Sequence, residues 1–436
     1  MKVNFIPRCA LVLMSLSLSF CALPQKGSLR NQRDHLEGLQ DGLGNRNFEQ
    51  MTEIYLPHQK KIWVKKSAEK KRTTYEDEYG REIQASQLPS LAVRIANGGG
   101  GQVGLIEALA NQYLKENQKG SGEKSPALAW RATNTSGSLE SLEKGWVDVA
   151  IVYDKQKEVL ALSGTPEKPH FASRIKHVWM DHFMLIGPTS DPAHLRGIQD
   201  LDAAIDQIMI APESFWLTRN DHSAIHEFEK QKVLTRVNLK RQRVGLSPLS
   251  LSELVKEGER ALHAQKDYDE KRAHWLRQRE EGSGIHLSQA HSQMLQAQRR
   301  ISEVTAPFRG LYKRGFYRPI QLMPKEAILK ANELGYYTLA DHGTFYFLSR
   351  KETLRVQPWI DGMDQAHPEL FNPADALLTS QKHSSTVDHF FEWLGGETAQ
   401  DLIQRYSGVK DHQGDPLFKR AKPDLVADRD RIFEQL

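Results

Sequence analysis

The chain of 436 residues has two cysteines, Cys9 and Cys21, and both fall in its N-terminal segment. Beyond them neither a disulfide nor thiolate chemistry is open to it. Long apolar runs are equally scarce. The one that stands out, "CALVLMSLSLSFCAL", follows Lys2 and Arg8 and is too short to span a bilayer comfortably. This pattern predicts a secretory signal peptide over residues 1–24, and hence a secreted product, periplasmic in a bacterium. A lipid anchor at Cys21 would need a small residue where Phe20 stands. Excess charge of either sign is missing too. With 59 basic against 55 acidic residues the net charge is +4, too mild to argue for nucleic acid or an anionic membrane surface.

What is present is a change of texture along the chain. Residues 25–88 are polar and charge-rich, with "KKIWVKKSAEKKR" the densest run, and predict a poorly structured leader. From Leu91 strand and helix patterns alternate. Val93 and Ile95 read as a strand, then Val103, Ile106, Leu109, Ala110, Tyr113 and Leu114 recur at helical spacing. "ALAWRA", "SLESLEKG" and "WVDVAIVY" follow as strand, helix and strand, which predicts an α/β fold with a parallel sheet covered on both faces. "RIKHVWMDHFMLIGP" reads as a long extended segment entering a second lobe, with a helix at about 199–207 and a strand near "ESFWLT" after it. Residues 230–310 carry sparse apolar positions and predict a projecting charged helical hairpin, turning at Glu281–Gly284, that could serve a protein partner. Two helices, "TVDHFFEWLG" and "ETAQDLIQRYS", follow in the C-terminal part.

Four glycines, Gly98 to Gly101, lie where the first strand turns into its helix. A glycine-rich turn of this kind exposes backbone N–H groups to an incoming anion, a dinucleotide pyrophosphate or a small oxyanion alike. Gly99, Gly101 and Gly104 complete G-x-G-x-x-G, so an NADP-dependent oxidoreductase is one reading, with Arg131 available to a 2′-phosphate. A nicotinamide site also wants a carboxylate at the end of the second strand, and "WRATNTSG" has none. That second junction instead offers the hydroxyls of Thr133, Thr135, Ser136 and Ser138, some of them ordinary helix caps. Donors without acceptors select a fully deprotonated oxyanion, whereas one that keeps a proton wants a carboxylate beside it. A third element, "FWLTRNDHSAIHEFE", brings Arg219, whose fork of donors suits an oxyanion and equally suits Asp221. His222 and His226 are spaced for a metal but lack a paired carboxylate motif. No metal and no cofactor is expected.

Taken in order, these segments resemble the tungstate-binding and molybdate-binding substrate-binding proteins of ABC importers, and more closely their secreted fungal relatives. "VRIANGGGGQVGLIEALA", "TNTSGSLESLEKGWVDVAIVYD", "VWMDHFMLIGPTSDPAHL", "FWLTRNDHSAIHE", "ANELGYYTLADHGTF" and "FNPADALL" carry the resemblance over about residues 90–418, apart from 230–310. It implies a periplasmic-binding-protein-like, type II Venus flytrap in residues 89–425, each lobe a β-sheet flanked by helices. Lobe 1 would span about 89–178 and 346–425, lobe 2 about 179–345. It also implies a non-enzymatic protein that holds tungstate or molybdate between the lobes, with an ABC importer as partner in a bacterium and none in a fungus. The matching ligand positions are Gly99, Gly100, Gly101 and Gln102, then Thr135 and Ser136, then Arg219 and Ser223, and lastly Asp341 and Thr344. Departures from the family are the glycines themselves, in place of a Thr/Ser-rich loop, and His342, in place of an Arg. A scaffold that has kept the fold and lost the ligand is the remaining reading. Asn134-Thr135-Ser136 is in addition a glycosylation sequon.

Overall fold

The structure, a computed structural model, describes residues 48–67, 72–117, 127–281, 284–308, 310–362, 367–408 and 416–421, so the expected signal peptide lies outside the described residues. Where a poorly structured leader was expected, four strands are built: β1 (Glu53–Leu56), β2 (Lys60–Ser67), β3 (Arg72–Glu76) and β4 (Glu82–Ile83). They form an antiparallel meander whose first strand pairs with the main sheet. The reason is one-sided burial. Phe48, Met51, Ile54 and Ile62 enter a core with Ala127, Ala129 and Leu142, while Lys60, Lys65 and Lys66 of β2 face solvent and suit an outlying strand.

The main sheet continues through β5 (Leu91–Asn97), β6 (Ala127–Ala132), β7 (Val149–Val152) and the 17-residue β8 (Ala172–Pro188). β5 pairs in parallel with both β6 and β7, as the strand–helix alternation predicts. Helix Leu105–Glu116 lays its predicted apolar face, Ile106, Leu109, Ala110, Tyr113 and Leu114, on this sheet. β15 (Phe371–Thr379) returns antiparallel between β7 and β8, closing the order β6-β5-β7-β15-β8. β8 then outruns β15: its last residues pair with β13 (Thr338–Asp341) and β14 (Val356–Asp361). Side chains of a strand alternate, so Phe183 and Leu185 enter the second core while Met184 and Ile186 join the first. One strand thereby belongs to both lobes.

The second core gathers helix Leu201–Ile210, β9 (Trp216–Thr218) and helix Ala224–Arg243. Two long helices, Leu251–Glu281 and Gly284–Val304, pack on each other in the charged region, with residues 282–283 outside the described ones. The boundary of the projection differs from the sequence expectation. Val233, Val237 and Leu254 are completely buried in this core, because the helix that enters the charged region begins at Ala224 and packs on the lobe. Short strands β10 (Pro307–Phe308), β11 (Tyr312–Lys313) and β12 (Tyr317–Pro319) follow, β12 running parallel to β9. Helix Pro324–Leu334 leads to β13, and helix His342–Ser349 packs Phe345, Phe347 and Leu348 into the first core, not the second. β16 (Lys419–Arg420) pairs with β8 after helices Ser385–Leu394 and Glu397–Arg405. Among the described residues no helix is long and apolar enough to cross a membrane.

Candidate functional site

β5 ends at Asn97, and the chain turns at once into the single helical turn Gly99–Gln102. The buried Asn97 side chain makes that turn. Its Nδ2 donates to the Ile151 carbonyl at 3.0 Å and its Oδ1 accepts from the Gly101 amide at 2.8 Å. The four glycines then answer to different neighbours. A Cβ on Gly101 would lie 2.2 Å from the Trp130 ring, and one on Gly100 would lie 2.9 Å from Trp179. Both therefore serve core packing. Gly99 faces side-chain oxygens from across the turn, its hypothetical Cβ 3.3 Å from Thr344 Oγ1 and 3.7 Å from Asp341 Oδ2.

A cavity of about 30 Å³ opens at that point, lined among others by Gly98, Gly99, Asn134, Thr135, Arg219, Ser223, Asp341 and Asn372. A water needs roughly 10–15 Å³ of such space, so there is room for about two waters or one compact oxyanion. Asn134 caps helix Thr135–Glu143 by accepting from the Gly137 amide at 2.8 Å, and its Nδ2 donates to the Asp221 carbonyl at 2.6 Å. Nδ2 is the atom a glycan would occupy. Ser136 Oγ donates to the His222 carbonyl at 2.9 Å, and Lys157 reaches the same oxygen at 3.2 Å. These bonds join the first lobe to the loop after β9, where Asn220 and His222 sit at positive φ. They bridge the cleft beside the cavity.

Arg219 lies at the end of β9, almost wholly buried, its Nη2 bonded to Asp221 and its Nε 3.4 Å from the Leu322 carbonyl. Asp221 also accepts from the Ser223 amide and hydroxyl at 3.1 and 2.6 Å. Arg219 Nη1 is left toward the cavity, 4.0 Å from Asp341 Oδ2. Behind Asp341 lies Asp181 of β8, which accepts from the His182 and Gly343 amides at 2.8 and 3.2 Å. Burial pushes Asp181 well above the usual carboxylate range, with the charge of Asp341 adding to it. Burial raises Asp341 as well, Arg219 pulling it down and Asp221 pushing it up. Tyr153, just past β7, is raised by burial and by both carboxylates.

Of the residues expected from the sequence, Gly99, Thr135, Arg219, Ser223 and Asp341 line one cavity, with Thr344 next to Gly99. Gly100 and Gly101 face tryptophans, Ser136 forms part of the lobe-to-lobe bridge, and the Gln102 side chain lies beside the Lys325 amide. The expectation of donors without acceptors does not hold, because Asp341 faces the cavity. Sequence reasoning passed over Tyr153, Asp181 and Asn372. Asp181 had a signal: a carboxylate inside the apolar strand "VWMDHFMLIG" must be compensated when buried. Arg131, assigned to a nucleotide phosphate in the oxidoreductase reading, instead donates to Gln50 and stacks on Trp146. His222, His226 and Glu227 place ligand atoms within 4.8 Å of one another. His226 Nδ1, however, accepts the His222 amide at 3.0 Å, and burial lowers that ring to about 4. The neutral ring then carries its proton on Nε2, where a metal would need a lone pair.

No protein family's sequence profile matches the chain, and no curated protein resembles it in sequence. Solved structures do. A periplasmic candidate metal-binding protein aligns over 76% of this chain and 97% of its own, at 23% identity and a TM-score of 0.50. The tungstate-binding protein TupA of Desulfovibrio alaskensis G20 aligns more loosely, over 76% and 99%, at 19% identity and 0.45. The tungstate ABC transporter protein of Geobacter sulfurreducens does so over 72% and 98%, at 17% and 0.44. The chain has the two-lobed, type II fold of the periplasmic binding proteins.

Proposed function

We propose that the chain is a solute-binding protein, not an enzyme, that captures a small tetrahedral oxyanion in the cleft between its lobes. The observation that carries this is the meeting of three strand ends on one small cavity. The Gly98–Gly99 backbone follows β5, Asn134 and Thr135 follow β6, and the buried Arg219 guanidinium follows β9. Strand ends facing a crevice are where open α/β sheets bind ligands, and a fixed guanidinium suits an oxyanion. Tungstate and molybdate are the ligands that the motif resemblance favours. The N-terminal segment would direct the protein out of the cell, with an ABC importer to receive its cargo in a bacterium. A cavity of this volume disfavours a dinucleotide. A thermal-shift panel of tungstate, molybdate, sulfate, phosphate and NADPH tests the proposal. An oxyanion should raise the melting temperature in proportion to the logarithm of its concentration while NADPH leaves it unmoved. A rise with NADPH alone would restore the oxidoreductase reading, and no rise with any of them would favour a ligand-free scaffold.

A further inference from the structure

An oxyanion in this cleft meets one group that does not suit it. Asp341 precedes helix His342–Ser349, yet its side chain makes no capping hydrogen bond. Its own backbone N–H donates to the carboxylate, and the nearest cation, Arg219 Nη1, stands off at 4.0 Å with the other end of that guanidinium taken by Asp221. The Oδ2 atom faces the same space as Gly99, 3.7 Å from where a Cβ there would be. An anion seated on the Gly98–Gly99 backbone therefore brings an oxygen against a carboxylate oxygen, and two bare anions repel at hydrogen-bond distance. A single proton between them turns the contact into a short, charge-assisted O–H···O bond.

The surroundings favour keeping that proton. The loop after β9 contributes Arg219 and Asp221, and β8 contributes Asp181. Asp361 of β14 acts on Asp181, and Tyr153 follows β7. The glycine turn and Asn372 of β15 bring no charge. Asp221 already takes one end of the single guanidinium, so a dianion with no proton would face the charge of Asp341 with little to compensate either.

We propose that the cleft takes its oxyanion together with one proton, held between Asp341 Oδ2 and an oxygen of the anion, so that Asp341 sets the class of ligand. This rests on the oxyanion reading above. Hydrogen phosphate and hydrogen arsenate bring the proton with them. Tungstate, molybdate and sulfate arrive without one, and it then comes from water or buffer.

Calorimetric titration of the full chain in two buffers of different ionisation enthalpy reads the proton directly. With tungstate or sulfate, at a pH alkaline enough for free Asp341 to be ionised, about one proton should be taken up per anion bound, and affinity should there fall about tenfold per pH unit. With hydrogen phosphate, above its second ionisation, uptake should vanish and the affinity should be flat. Asp341→Asn supplies an N–H donor in place of the shared proton, so its tungstate affinity should lose the pH slope, with folding checked by circular dichroism. The wild-type comparison stands even if that variant does not fold. Tungstate or sulfate binding without proton uptake, at an affinity independent of pH, would overturn the proposal and leave the oxyanion site intact. Absence of binding by any oxyanion would instead remove the oxyanion reading and this one with it.

Discussion

Gly99 and Gly101 stand two positions apart and answer to different constraints. At Gly101 there is no room for a methyl group, because the Trp130 ring already occupies the place. Gly101→Ala should therefore cost about 1–3 kcal/mol of stability, the usual penalty for overpacking a filled site. At Gly99 the nearest atom to an added Cβ is 3.3 Å away and belongs to a hydroxyl, so the fold should accept Gly99→Ala with little loss. The methyl would stand in the cavity, and tungstate affinity should drop at least tenfold. Chemical denaturation and calorimetry on the two variants check this together. Equal destabilisation with equal loss of binding would mean that the turn acts as one unit. The glycine run was legible in the sequence as a turn from strand to helix. Which glycine faces the cavity was not, since that depends on Trp130 and Trp179, brought in from β6 and β8.

Among elements, the strands of the first lobe were readable because their alternation and the helical spacing after them agree locally. The meander β1–β4 was not. β2 buries little beyond Ile62 and presents lysines on both sides of it, so its composition imitates a solvated leader. Pairing of β1 with β6, the Thr52 and Arg131–Gln50 bonds, and the burial of Phe48, Met51, Ile54 and Ile62 make the meander structure. The charged helices carry the converse lesson. Sparse apolar residues suggested a projection beginning near residue 230, yet Val233, Val237 and Leu254 fill the second core. Only the distal part of the hairpin is free of the lobe. Its two helices pack on each other through Ala290, Met294 and Ala297, with Arg300 3.5 Å from Asp267. Replacing residues 268–299 with a short glycine loop should leave the melting temperature within a few degrees. Replacing 233–303 should abolish cooperative unfolding, because it removes buried apolar side chains that each contribute about 2–5 kcal/mol. Similar melting curves for the two deletions would contradict this division.

For the whole molecule, the long strand β8 carries two registers, one with β15 and one with β13 and β14, and so sets the two cores on either side of one cleft. The lobes meet through side chains of the first and backbone carbonyls of the second, Asn134 to Asp221 and Ser136 to His222. Such bonds fix the distance across the cleft without filling it. The strand–helix order and the six motif segments made this architecture legible. The acidic surroundings of the cavity were not, because Asp341, which lines it, and Asp181 and Asp221, which act on Asp341 from outside the lining, are spread over 160 residues of sequence and meet only when β8, β9 and β13 converge. The central claim is that an oxyanion sits where these strand ends meet. Crystals grown with tungstate and measured at a tungsten absorption edge test it most directly. One anomalous peak is predicted between the Gly99 amide, Arg219 Nη1 and Asp341 Oδ2, each within hydrogen-bond distance of an anion oxygen. A peak elsewhere on the chain, or none at saturating tungstate, would contradict the account.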